Sequence, residues 1–324
     1  MEYIPLEKPI AVLESQIEEL QRMASTQALD LCDEISRLEE EARRLRVHLF
    51  ANLSPYERVQ LSRHPNRPHT LEIIDLMLDS FVELHGDRNF DDDKSIVCGV
   101  GYFQKQSVVV LGHQKGRGIK GNIERNFGMP RPEGYRKALR IMSMAERLGL
   151  PILTLIDTPG AYPGVGAEER GQAEAIGKNI MVMSRLRVPI FSVVLGEGGS
   201  GGALALGVAN RIHMLQYTSY SVISPEGCAS ILMKDARKAD KAAEALQITA
   251  DAALRLGVID SVIPEPLGGA HRDPRQTAEN IRAVLAEDFA TYLPMSGKDL
   301  AQHRMDKFLK MGSFDLRATE GSPV

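Results

Sequence analysis

A chain of 324 residues with 43% hydrophobic and 25% charged residues has the make-up of a soluble globular protein, long enough for one large domain or two small ones. A net charge of -4, 5% aromatic residues and no tryptophan argue against nucleic acid as the main partner, since phosphate binding favours a basic surface and base stacking needs rings. Cys32, Cys98 and Cys228 form no CxxC pair, so no metal site built by this chain alone is expected, and the sparse, odd count suits a reducing compartment.

Met1 to Phe50 is charged and has no signal-peptide core, and no apolar run approaches the roughly 18 residues of a membrane span. A cytoplasmic location without a transmembrane segment is therefore expected. Within residues 1–52, Ile10, Leu13, Ile17 and Leu20 recur at helical spacing, as do Ile35, Leu38, Ala42, Leu45 and Leu49. The pattern predicts a hairpin of two amphipathic helices, either a surface packing element or an arm that grips a partner subunit. Thr70 reads as the N-cap of a helix running to about Leu84. Asp91, Asp92 and Asp93 have the composition of a metal cluster, but adjacent carboxylates in a loop point apart, and a solvated turn is expected.

From Ser95 the pattern changes. Ile96 to Phe103 and Ser107 to Gly112, separated by a short polar turn, predict a β-hairpin. Lys115 and Arg117 follow among glycines, where they could hold a phosphate or carboxylate. A helix is predicted over Tyr135 to Leu148, a buried strand over Pro151 to Asp157, a helix from about Ala167 to Ser184, and a second buried strand over Val188 to Leu195. Strands at Arg211 to Leu215 and Tyr220 to Ile223, one helix from Ala236 to Leu256 and a last strand at Gly257 to Pro264 complete the body, residues 53–270. Residues 271–324 predict a helix at Thr277 to Tyr292 and a loose polar tail. Strands alternating with helices mean an α/β fold with a mostly parallel sheet, whose ligands sit at the carboxyl ends of the strands.

Two glycine-rich loops fall at such ends: Thr158 to Gly166 and Gly196 to Gly202. The second satisfies several patterns. Gly196, Gly198 and Gly201 have dinucleotide-binding spacing, but residues 215–225 lack the acidic partner of a ribose. A P-loop fails because Gly202 and Ala203 stand where Lys and Ser or Thr are required. Gly198, Ser200 and Gly202 have the spacing of a nucleophile elbow, which makes a serine hydrolase the serious competitor. However, His213, His271 and His303 lie in no context that places them beside Ser200. The remaining reading is an oxyanion hole: backbone N–H groups of Gly201 and Gly202 at a helix start, opposed by Gly160 and Ala161, with Gly198, Gly199, Lys115, Arg117 and Arg170 as further substrate contacts.

Longer runs carry a resemblance. Gly112 to Arg117, Asn126 to Pro130, Pro132 to Ala138, Ile156 to Gln172, Gly196 to Ala203, Ser221 to Ser230 and Ile263 to Arg272 together resemble the family of carboxyltransferase alpha subunits of bacterial and plastid acetyl-CoA carboxylase. The resemblance implies a crotonase-like ββα superhelix with a helical N-terminal extension. It also implies an α2β2 assembly whose zinc belongs to the beta subunit, and transfer of the carboxyl group from carboxybiotin on the biotin carboxyl carrier protein, loaded by biotin carboxylase, to acetyl-CoA. No tightly bound cofactor is implied for this chain. A scaffold role, with all chemistry on the beta subunit, is the non-enzymatic alternative.

Overall fold

The computed structural model describes residues 2–27 and 30–312. Strand alternation builds its centre. Along Ile190–Gly199, Ile190 and Val194 face one apolar cluster, whereas Phe191, Val193 and Leu195 face another. Gln106–His113 and Ile152–Thr158 divide the same way, with Val109, Leu111, Ile152 and Ile156 on one side and Val108, Val110, Leu153 and Leu155 on the other. Strands that are apolar on both faces have to be covered on both faces, and helices do so here.

The elements in chain order are α1 (Lys8–Gln27), α2 (Cys32–Ala51), α3 (Pro55–Ser62), α4 (Thr70–Met77), β1 (Ser80–Glu83), β2 (Ile96–Phe103), β3 (Gln106–His113), α5 (Gly118–Glu124) and α6 (Pro132–Leu148). Then come β4 (Ile152–Thr158), α7 (Val165–Glu169), α8 (Gln172–Arg185), β5 (Ile190–Gly199), α9 (Ser200–Leu204), β6 (Arg211–Leu215), β7 (Ser219–Ser221) and α10 (Pro225–Leu232). The last are α11 (Ala239–Leu246), α12 (Ala250–Arg255), β8 (Ser261–Ile263), α13 (Pro274–Tyr292) and α14 (Gly297–Leu309). The sheet runs β1-β2-β3-β4-β5-β6-β8, antiparallel across its first two pairings and parallel thereafter. β7 pairs with the far end of β5, Glu197 opposite Ser219. The carboxyl ends of β4 and β5 thus lie side by side at one edge.

The arm is an antiparallel helical hairpin, as expected, with Arg46 of α2 on Glu14 of α1 at 2.5 Å. Ile10 and Phe50 pack with Leu53, Leu61 and Tyr217 of the body. Just before α1, the buried Glu7 carboxylate accepts from His64 Nε2 and His271 Nε2, each at 2.9 Å. The backbone N–H of Asn66 donates to His64 Nδ1, so that ring carries its proton on Nε2, facing Glu7. Burial alone would push Glu7 upward, but the two imidazoles outweigh it and hold the carboxyl well below its ordinary range.

Four expectations give way to tertiary demand. The helix begun at Thr70 stops at Met77, and Ser80–Glu83 instead pairs with β2, covering an edge that would otherwise expose a ladder of unpaired amides. Thr70 lies inside the first turn, its hydroxyl donating to the carbonyl of His113 at 2.5 Å. The acidic trio is no solvated turn: Asp93 is buried and accepts from Ser95 and from the N–H of Arg131, while Asp92 binds Lys137 at 2.5 Å. The helix expected over 236–256 breaks at Gln247, in the left-handed region at φ 50°, and restarts at the Thr249 cap. Finally, the expected loose tail contains α14, docked through Arg304; residues 313–324 lie outside the described residues.

Arg304 is fully buried and donates to the carbonyls of Leu186 and Val188 and to Asn210 Oδ1. No helix among the described residues is long and apolar enough to cross a membrane. Truncating Arg304 orphans those buried acceptors, so Arg304→Ala is expected to cost about 3 kcal/mol. Denaturant unfolding measures this, and a change within the spread of surface substitutions would contradict the docking role.

Candidate active site

The two glycine loops meet at the ends of β4 and β5, and their glycines are required by that meeting. A Cβ on Gly196 would lie 2.3 Å from Asp157 Oδ1, and one on Gly199 would lie 2.2 Å from the Pro159 carbonyl oxygen. At Gly202 it would lie 2.7 Å from the backbone carbon of Gly160 and 2.9 Å from the nitrogen of Ala161. Every third residue of the turn is therefore pressed on the 157–161 loop. Gly198 faces the Tyr220 ring, where a Cβ would come within 2.4 Å. Gly201 alone has room, its nearest neighbour being Ile176 at 3.6 Å.

Ser200 makes the corner between β5 and α9 with φ 49°, a left-handed conformation costing a non-glycine residue about 1 kcal/mol or more. The helix that begins there leaves its first N–H groups, those of Gly201 and Gly202 included, without intrahelical acceptors. On the opposing loop the Gly160 N–H donates to Thr158 Oγ1 at 3.1 Å. Of the pair expected there, Ala161 is the one whose N–H has no acceptor among the described residues.

Beneath the turn is a buried ion cluster. Lys115 Nζ lies 2.8 Å from Asp157 Oδ1 and 2.9 Å from Glu197 Oε2. Arg63 Nε holds Glu197 Oε1 at 2.6 Å and Arg63 Nη1 holds Glu226 at 2.8 Å. Burial disfavours the Lys115 ammonium, yet the two carboxylates outweigh it and raise its pKa above the ordinary value. Asp157 is likewise pushed up by burial and brought well below the usual carboxylate range by Lys115 and His69. Arg67, also buried, binds Glu265 through two nitrogens and donates to the carbonyl of Leu195 at 2.5 Å, just before the turn.

The other expected cations are held by carboxylates as well. Arg117 lies on Glu72 at 2.6 Å and Arg170 on Glu133 at 2.5 Å, with the Phe90 ring 4.5 Å from the Arg170 guanidinium. None of the three histidines downstream of Ser200 serves it. His213 binds Asp288 at 2.6 Å, His271 binds Glu7, and His303 contacts Asn210 and Tyr292. Beside Ser200 lies an apolar cleft of about 310 Å³ lined by Leu204, Tyr220, Val222, Phe308 and Met311 among others.

Asp157, Glu197, Arg63 and His113 were not among the expected site residues. The available signal was a carboxylate closing each of two otherwise apolar strands, a costly placement unless a cation waits there. His113, at the end of β3, gave no such signal. It is fully buried beside the backbone of Gly202 and Leu155, with neither ring nitrogen hydrogen-bonded among the described residues, and burial pushes its pKa down to about 4.

The family model for acetyl co-enzyme A carboxylase carboxyltransferase-like proteins matches residues 3–312. An acetyl-coenzyme A carboxylase carboxyl transferase subunit alpha of Neisseria gonorrhoeae is 56% identical over 314 residues, covering 96% of this chain and 98% of its own. Its counterpart in Pseudomonas aeruginosa is 54% identical over 311 residues, covering the same 96% and 98%. Among solved structures, a Pseudomonas malonate decarboxylase hetero-tetramer in complex with coenzyme A aligns with TM-score 0.59 at 17% identity, over 72% of this chain and 91% of that one. The transcarboxylase 12S core aligns with TM-score 0.55 at 21% identity, over 68% of this chain and 41% of that one. These likenesses bear out the crotonase-like α/β architecture.

His113 is neutral in the folded state and would ionise near 6.5 once unfolded. Its contribution to stability is complete above about pH 6.5 and is lost as the pH falls toward 4. The urea midpoint is expected to fall across that window and to fall less steeply in His113→Gln. Equal slopes in the two proteins would remove His113 as the cause.

Proposed function

The chain belongs to the acetyl co-enzyme A carboxylase carboxyltransferase family, and from that premise we propose how its glycine turn serves carboxyl transfer. The activity is that of the alpha subunit of the carboxyltransferase, forming malonyl-CoA from acetyl-CoA. The substrates of this side of the reaction are carboxybiotin, carried on the biotin carboxyl carrier protein and loaded by biotin carboxylase, and acetyl-CoA. Cleavage of the N–CO2 bond releases CO2 and leaves the electron pair on biotin, as an anionic ureido oxygen. That oxygen takes a proton from the acetyl methyl group, and the resulting thioester enolate attacks the CO2.

Two anions alternate, so two sets of preorganised donors are needed. We assign the ureido oxygen to the N–H groups of Gly201 and Gly202, opposed by Ala161, with Gly160 shaping that loop. The thioester oxygen is assigned to the beta subunit in an α2β2 assembly, which also carries the zinc. Gly198 and Gly199 admit the ring by their lack of side chains. The apolar cleft beside Ser200 suits the hydrocarbon part of biotin better than a diphosphate. Lys115, Arg117 and Arg170 act through the carboxylates they hold. Since the substrate supplies its own base, no side-chain base is required of this chain. The setting is fatty-acid biosynthesis in the cytoplasm.

The observation that carries this reading is the contact of Gly202 with Gly160 and Ala161, which brings a helix start and a second strand-end loop to one point. A hydrolase is disfavoured by the engagement of His213, His271 and His303 elsewhere. In the assembled enzyme, Gly202→Val, whose side chain must push the turn off Gly160 and Ala161, is expected to lower malonyl-CoA formation at least about 100-fold in the variant that still co-purifies with the beta subunit. Near-normal transfer by that variant would sink the assignment and leave the scaffold reading. Ser200→Ala is expected to remain active and Ser200 to resist a fluorophosphonate probe; labelling together with loss of activity would restore the hydrolase.

A further inference from the structure

Lys115 lies two residues past the end of β3, and Asp157 and Glu197 lie near the ends of the neighbouring strands β4 and β5. One ammonium bridges the two carboxylates at 2.8 and 2.9 Å, and Asp157 Oδ1 also accepts the N–H of Glu197 at 3.0 Å. Arg63 fixes the other oxygen of Glu197 at 2.6 Å, and His69 Nδ1 stands 3.6 Å from Asp157 Oδ2. Both carboxylates are buried. The two carboxylates already balance the Lys115 charge and would repel a substrate phosphate. The lysine is therefore poorly suited to bind substrate and well placed to set the spacing of what stands above it. Asp157 lies three residues before Gly160, and Glu197 lies five before Gly202.

We propose that Lys115 is a positioning residue for carboxyl transfer: its ammonium holds the ends of β4 and β5 together and so fixes the distance between the N–H groups of Gly202 and Ala161. The proposal rests on the glycine-turn assignment made above. Without the ammonium, Asp157 and Glu197 face one another as buried like charges and the strand ends part. A displacement of about 1 Å in a catalytic donor costs on the order of 100-fold in rate.

The test uses the enzyme assembled with its beta subunit and compares Lys115→Met with the double variant Lys115→Met/Glu197→Gln, which removes the repulsion but does not restore the bridge. Four quantities are read: kcat, KM for acetyl-CoA, Tm, and amide hydrogen exchange at residues 157–161 and 196–204. Lys115→Met is expected to lose about 100-fold in kcat with KM changed less than twofold, and both loops should exchange faster. The double variant should recover Tm but not kcat. Recovery of kcat along with Tm would mean that the lysine only stabilises the fold, and would overturn the proposal. A tenfold rise in KM at constant kcat would make it a substrate ligand, with the same consequence. Unchanged exchange in both loops overturns the clamp itself, whereas faster exchange with an unaltered kcat overturns the glycine-turn assignment on which it rests. If Lys115→Met does not assemble, Lys115→Arg carries the test: the charge is kept, the broader guanidinium spreads the strand ends, and kcat is expected to fall without a loss of Tm.

Discussion

The close approach of the β5–α9 turn to the loop after β4 is the constraint on which the rest of the structure depends. Backbone meets backbone there at Gly199 and Gly202, and Gly196 meets the Asp157 carboxylate, each leaving no room for a single added carbon. Such contact cannot be made by side chains, because any side chain would hold the loops apart. It places a helix start against a second chain segment, the condition under which two sets of backbone amides can address one oxygen. The separation of the two loops is held by the charged groups beneath them.

That rigidity comes from groups that would be liabilities elsewhere. Buried carboxylates are expensive, and a protein retains them only where a cation and further hydrogen bonds compensate. Asp157 and Glu197 have Lys115, Arg63 and a backbone amide, and Leu195 is held by Arg67, itself locked to Glu265. The cluster ties α3, the loop after β3, and the ends of β4 and β5 into one unit beneath the turn. Below it, Thr154 and Ser192 pair across β4 and β5 at 2.6 Å, and Thr154 donates to the carbonyl of Leu206 at 2.8 Å. Strand spacing is thus set by polar contacts along its length as well as by the apolar faces.

Much of the frame was legible because it follows from local pattern. The β2–β3 hairpin turns at Gln104 and Lys105, both left-handed, in the short polar break between two apolar runs. The helix at α6 ends on Gly149, left-handed as a C-cap glycine should be. What stayed hidden depended on partners far along the chain. β1 is a strand because β2 needs an edge partner, and α14 is docked by distant partners, Arg304 reaching carbonyls more than a hundred residues away and Lys307 reaching Asp260. At the site, the run of glycines reads in the sequence as clearance for a ligand, whereas most of that clearance is taken up by the neighbouring loop. The sequence offers Lys115 as a ligand for a phosphate or carboxylate; the two carboxylates that hold it, one near the end of each apolar strand, converge only once β4 and β5 are paired.

The anchoring of Glu7 has a consequence for the order in which the chain becomes fixed. Its two imidazole donors come from positions 64 and 271, the second separated from it by 264 residues. Closing so long a span costs chain entropy that no local contact repays in advance. During synthesis toward the carboxyl terminus, the arm emerges well before the residues that fasten it. Until His271 and Arg272 have left the ribosome, Glu7 has only part of its hydrogen-bonding complement, and Arg272 has yet to reach Glu14. Full docking of the arm therefore reports that translation has passed beyond β8.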